Sequence, residues 1–98
     1  MTNAATNRVI KSIDVPGGSG TVVVYDWMTY TQNRAENLEL LSPEGVCIWR
    51  AKLPTAAGVD CFTDIAWDAD CLRASTWSGW TAWLNPRTGD ALRTTFTK

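Results

Sequence analysis

The chain has 98 residues, 45% hydrophobic and 19% charged, with nine Lys+Arg against ten Asp+Glu and a net charge of -1. That balance belongs to a folded globular chain and excludes a disordered one, and its scattered basic residues lack the clustered positive surface that a phosphate backbone or an anionic membrane requires. The sequence contains no His, so the commonest general base and every nucleophile/His arrangement are excluded.

A single domain over 1–98 is expected, and at this length only about two-thirds of the unfolded surface can be buried. The longest purely apolar run, 22–25, is far short of the roughly 20 residues that span a bilayer. The opening MTNAATNRVIKS lacks the apolar centre of a secretory leader. A cytoplasmic protein is the expectation.

Runs rich in β-branched and aromatic residues predict eight strands, at 8–15, 21–30, 37–41, 46–53, 62–67, 71–77, 80–85 and 91–97. The segments between them are turn chemistry. The first, PGGSG (16–20), has neither the fingerprint nor the following helix of a phosphate cradle. The second, within YTQNRAEN (30–37), is the one long polar connection carrying an aromatic, an Arg and a Glu. Loops held on a sheet are where recognition concentrates, so Tyr30, Arg34 and Glu36 are candidate binding residues, against the plainer reading of a solvated connection. The segment 54–60 separates a strand group at 8–53 from one at 61–98.

In the second group, IAWDADCLRA places a tight turn at Ala69-Asp70 and pairs Asp68 with Cys71, Trp67 with Leu72 and Ile65 with Ala74. In STWSGWTAWLNPRTG, Gly79 and Pro86 argue against a helix. A two-residue turn at Ser78-Gly79 then sets Trp77 opposite Trp80, Ala74 opposite Trp83 and Arg73 opposite Leu84. On this register Trp67 and Trp83 join the core, while Trp77 and Trp80 form an aromatic pair on the polar face; a slip of one residue exchanges the faces. Aromatic pairs anchor protein interfaces, so Trp77 and Trp80 are the leading interface candidates.

Cys47, Cys61 and Cys71 are odd in number and share no metal-binding spacing, so reduced and mostly buried thiols are expected, with no metal and no cofactor. Asp64 and Asp68 share a strand face roughly 13 Å apart, too far for one metal or a proton relay; Asp64 is expected near Arg73 as a diagonal ion pair. No catalytic residue is assigned.

SPEGVCIWR (42–50) and NPRTGDALR (85–93) repeat a Pro-to-Gly turn at a spacing of 43 to 44 residues. A repeat of about 40 to 50 residues with four strands per unit is the signature of propeller blades. LNPRTGDALRTTF resembles the outer hairpin of a quinoprotein-type propeller repeat. NLELLSPEGVCIWRA with RASTWSG and LNPRTG also resembles short uncharacterised bacterial proteins of the same eight-strand organisation. These resemblances imply an all-β chain, an antiparallel eight-stranded meander in two four-stranded, blade-like sheets, packed as a sandwich or barrel or completed as a ring by oligomerisation. Two blades cannot enclose the central cofactor site of such propellers, so no cofactor residue carries over.

The expected function is a non-enzymatic protein-interaction module, with an immunity- or inhibitor-type binder as a variant of the same class. Its partner is another protein or a second copy, as a homodimer or a higher ring. The alternative is a small-molecule or carbohydrate-binding domain that uses an exposed aromatic face.

Overall fold

The computed structural model describes residues 8–29, 34–56 and 58–96. Its strands are β1 (Val9–Asp14), β2 (Thr21–Tyr25), β3 (Arg34–Ala35), β4 (Leu38–Leu41), β5 (Cys47–Arg50), β6 (Asp60–Asp68), β7 (Cys71–Thr76), β8 (Trp80–Leu84) and β9 (Ala91–Phe96). They form a four-stranded sheet in the order β1-β2-β4-β5 and a five-stranded sheet in the order β3-β6-β7-β8-β9. The fold is all-β, and the sheets do not close into a barrel.

The two expected strand groups are the bodies of the two sheets, but the expectation of four strands in each is corrected. β3, placed in sequence among the first group, pairs in parallel with β6 through Arg34↔Asp60 and Ala35↔Cys61. Every other pairing is antiparallel. The expected strand at 21–30 ends at Tyr25 because the Asp26 carboxylate accepts the Met28 amide at 3.0 Å and starts a 3-10 turn, Trp27–Thr29.

Each sheet turns one apolar face to the other. Val22, Val24, Leu38, Leu40 and Trp49 of the first meet Phe62, Ile65, Leu72, Ala74, Ala82 and Leu84 of the second in one cluster, with Ala51 and Leu53 beside them. Three side chains fasten sheet to sheet by bonds to backbone groups. Asn37, fully buried, donates to Tyr25 O at 2.7 Å and Phe62 O at 2.9 Å and accepts from Phe62 N at 2.7 Å. Trp49 Nε1 donates to Pro86 O at 2.9 Å, and Trp67 Nε1 to Asp14 O at 3.0 Å.

The Ala69-Asp70 turn has the expected register, with Asp68↔Cys71, Trp67↔Leu72 and Ile65↔Ala74. At the next hairpin the expectation is off by one residue: Arg73 faces Trp83, Ala74 faces Ala82 and Leu72 faces Leu84. The loop there holds Trp77, Ser78 and Gly79, three residues in place of two. Asp60, 1% exposed, explains the length. Its carboxylate accepts the Ser78 amide at 3.0 Å and the Ser78 hydroxyl at 2.8 Å, while Trp77 N donates to Cys61 O at 2.9 Å. These bonds fix the loop to the start of β6 and draw one further residue into it. Trp83 therefore lies on the outer face, and Ala82 and Leu84 take the core positions. Trp67 remains at the core margin, half-buried against the cluster.

Candidate functional site

The slip also moves Trp80. Thr76 is its neighbour on β7, its amide donating to Thr76 Oγ1 at 3.1 Å, and Phe96 is its partner on β9. The expected Trp77/Trp80 pair on the polar face is thus corrected: Trp80 lies on the inner face, in a row that runs Phe62, Thr76, Trp80, Phe96 across four strands. Burial falls steadily along that row. Phe62 is 0% exposed, Thr76 6%, Trp80 partly exposed and Phe96 55%.

The cause is the different width of the two layers. The first sheet covers β6, β7 and β8, and β9 extends past it. The adjacent inner row shows the same trend, from buried Ile65, Ala74 and Ala82 to exposed Thr94. The uncovered margin carries the Trp80–Phe96 pair, with ring centroids 5.5 Å apart and planes tilted by 53°, and Leu92, 59% exposed, follows where the β8–β9 register shifts between Trp83 and Leu84. Aromatic residues bury 150 to 250 Å² each when covered, so leaving a pair at a sheet margin forgoes a large stabilisation.

The charge nearest the margin is turned away from it. Arg93 lies over the Trp83 ring at 3.9 Å on the outer face, and Trp83 Nε1 donates to the Asp68 carboxylate at 2.9 Å. β9 is the end strand of its sheet, so among the described residues no strand pairs with its outer side.

The other sequence-derived candidates are not gathered at this margin. Trp77 is 57% exposed in the 77–79 loop, and its amide is held by Cys61 O. Tyr30 lies outside the described residues. Arg34 belongs to β3, and its guanidinium donates to Thr55 O at 2.9 Å, which ties that short strand to the 54–60 connection. Glu36 is partly exposed beside the buried Ala35 and Asn37. Phe96 and Leu92 are not among the sequence-derived site residues; the sequence marks their strand, LRTTFT at 92–97, only as an edge with little charge to discourage pairing.

Neither Cys47 nor Cys61 is an activated thiol. Cys47 is exposed, a correction to the expected burial, and desolvation followed by the Glu39 charge pushes it above the ordinary thiol value. Cys61 is buried, and desolvation with the neighbouring Asp60 pushes it up to about 11. Asp64 pairs with Lys11 rather than with Arg73 as expected; the Lys11 hydrogen bond holds its carboxyl below the usual range, with Arg73 adding only a through-space contribution. No three His, Cys, Asp or Glu side chains converge among the described residues. Surface depressions of about 250, 220 and 360 Å³ each have a single carboxylate in their lining, Asp90, Asp70 and Asp14 respectively. No helix among the described residues is long and apolar enough to cross a membrane. No family model, curated protein or solved structure matches the chain.

Proposed function

We propose that the chain is a non-enzymatic β-sheet interaction module that docks a protein on its β8–β9 margin. The observation that carries this reading is the uncovered end of the Phe62–Thr76–Trp80–Phe96 row, where an apolar inner face coincides with a sheet edge that no other strand of the described residues pairs. Strand addition draws affinity from main-chain hydrogen bonds and specificity from alternate side chains, and this margin offers both. Trp80 is the interface residue retained from the sequence; Phe96 and Leu92 join it.

The finer architecture belongs to the same reading. The Pro43 to Gly45 and Pro86 to Gly89 turns close the hairpins β4–β5 and β8–β9, each at the end of its sheet. This placement supports two blade-like units packed face to face.

Affinity purification of the wild-type chain beside a Leu92→Lys, Phe96→Lys variant tests the function. Both side chains are exposed and outside the core cluster, so the variant keeps its circular dichroism spectrum and melting temperature. A protein retained in stoichiometric amount by the wild type and lost by the variant is the expected result. Equal retention by both chains, or none by either, overturns the reading.

A further inference from the structure

On the outer face of the second sheet, opposite the Trp80–Phe96 pair, we infer a binding site for a phosphoryl group, free or carried as a small-molecule monoester, held by Arg73 and Arg93 across the Trp83 ring. Strand register brings the two arginines together. Arg73 on β7 faces Trp83 on β8, and Trp83 faces Arg93 on β9, so the three side chains share one row and one face. The pairing of β8 with β9 is continuous from Trp80↔Phe96 to Trp83↔Arg93, and the register shifts only beyond it. The strands that flank β8 lie roughly 10 Å apart, a gap that two arginine side chains close from either side. Like charges in one row repel unless an anion lies between them.

Arg8 pairs with Asp26, Lys11 with Asp64 and Arg50 with Glu39, whereas neither Arg73 nor Arg93 has an ion pair or a side-chain hydrogen bond among the described residues. Of the carboxylates on this face, Asp64 is occupied by Lys11 and reaches Arg73 only through space, and Asp68 accepts the Trp83 Nε1 hydrogen at 2.9 Å. That bond holds the indole from the β6 side, and Arg93 lies over the ring at 3.9 Å. A guanidinium stacked on an aromatic ring is pre-oriented and keeps its in-plane N–H donors for an oxyanion. The neighbouring outer row, Ser75, Thr81 and Thr95, adds three hydroxyls with no side-chain hydrogen bond among the described residues. The donor set selects the ligand. A carboxylate has two oxygens and satisfies one guanidinium fork, whereas a phosphoryl dianion has three and bridges two forks. Two guanidinium groups neutralise one such dianion and are too few for a phosphate backbone, whose binding grows with the number of contacts.

Inorganic phosphate, titrated into the isotope-labelled full chain at constant ionic strength, should shift the Trp83 indole and the Arg73 and Arg93 side-chain NMR signals along a saturating curve. Arg73→Gln and Arg93→Gln each remove one fork and should weaken binding about tenfold or more, with an unchanged circular dichroism spectrum because neither side chain belongs to the core cluster. Arg87, exposed in the turn between β8 and β9, is the control, and Arg87→Gln should bind phosphate as the wild type does. Acetate should bind about tenfold more weakly than phosphate. Glycerol phosphate binding more tightly than inorganic phosphate identifies the monoester as the ligand, the reverse order identifies the free anion, and either order supports the site. Shifts that grow linearly without saturation, no loss in Arg73→Gln or in Arg93→Gln, an equal loss in Arg87→Gln, or acetate bound as tightly as phosphate overturns the inference.

Discussion

Asn37 performs, with one side chain, the bonding of a strand that is not there. Its amide accepts from Phe62 N and donates to Phe62 O, as a paired strand residue would, and a second donor hydrogen reaches Tyr25 O in the other sheet. Removing it leaves the Phe62 amide and two carbonyls without these partners in a site with 0% exposure at Asn37. Asn37→Ala should therefore cost on the order of 3 kcal/mol, and a urea melt showing a loss below about 1 kcal/mol would show that these bonds are replaced by others. Cys61 gives a pH signature. Its folded thiol, pushed up to about 11, holds its proton more firmly than an unfolded one near 8.5. The folded state then binds more protons between those values, so stability is complete below about pH 8.5 and declines as pH rises toward about 11. Melts across that range should show a fall that Cys61→Ala reduces; the same fall in both chains would assign it to other groups.

At the scale of elements, most strands were legible because alternation and turn residues agree, and the Ala69-Asp70 hairpin was legible to the residue. The β7–β8 hairpin was not. A Ser-Gly pair between aromatic residues has the form of a two-residue turn, and the group that overrides it, Asp60, lies 18 positions away from Ser78. Local turn preference is a small energy beside the bonds of a buried carboxylate, so the distant residue decides the register. β3 was missed for a related reason: two residues of pairing leave no periodicity to read. The corrected faces change what truncation should do. Trp83→Ala removes an exposed cation–π contact and one hydrogen bond and should cost about 1 kcal/mol. Leu84→Ala opens the core and should cost about 2 to 5 kcal/mol. Parallel denaturant melts in which Trp83→Ala is the more damaging change would restore the sequence register.

For the whole molecule, the question is what holds one sheet on the other, and the sequence hides it most completely. The polar fastenings join residues 25, 37 and 53 positions apart, separations at which no local pattern exists. The repeated Pro-to-Gly turns illustrate the limit. Gly45 and Gly89 have φ of +86° and +79°, and sequence gives them one role, the left-handed residue that closes a hairpin turn. In the fold they differ. A Cβ on Gly45 meets nothing within 4 Å, whereas on Gly89 it would lie 2.6 Å from the Trp49 ring. Trp49 belongs to the opposite sheet and is bonded through Nε1 to Pro86 O, so the ring cannot withdraw without breaking the β5 contact to the β8–β9 turn. Gly45→Ala should then cost only the left-handed backbone penalty, about 1 to 2 kcal/mol. Gly89→Ala adds overpacking between the sheets and should cost about 3 kcal/mol or more, with a change in tryptophan fluorescence that Gly45→Ala lacks. Equal costs and unchanged fluorescence in both variants would mean that the two turns are equivalent and that Trp49 does not seat the sheets together. The Gly89→Ala, Trp49→Ala double variant separates the causes: if the ring is the obstacle, adding Gly89→Ala to Trp49→Ala should cost no more than Gly45→Ala does alone, because only the backbone penalty is left.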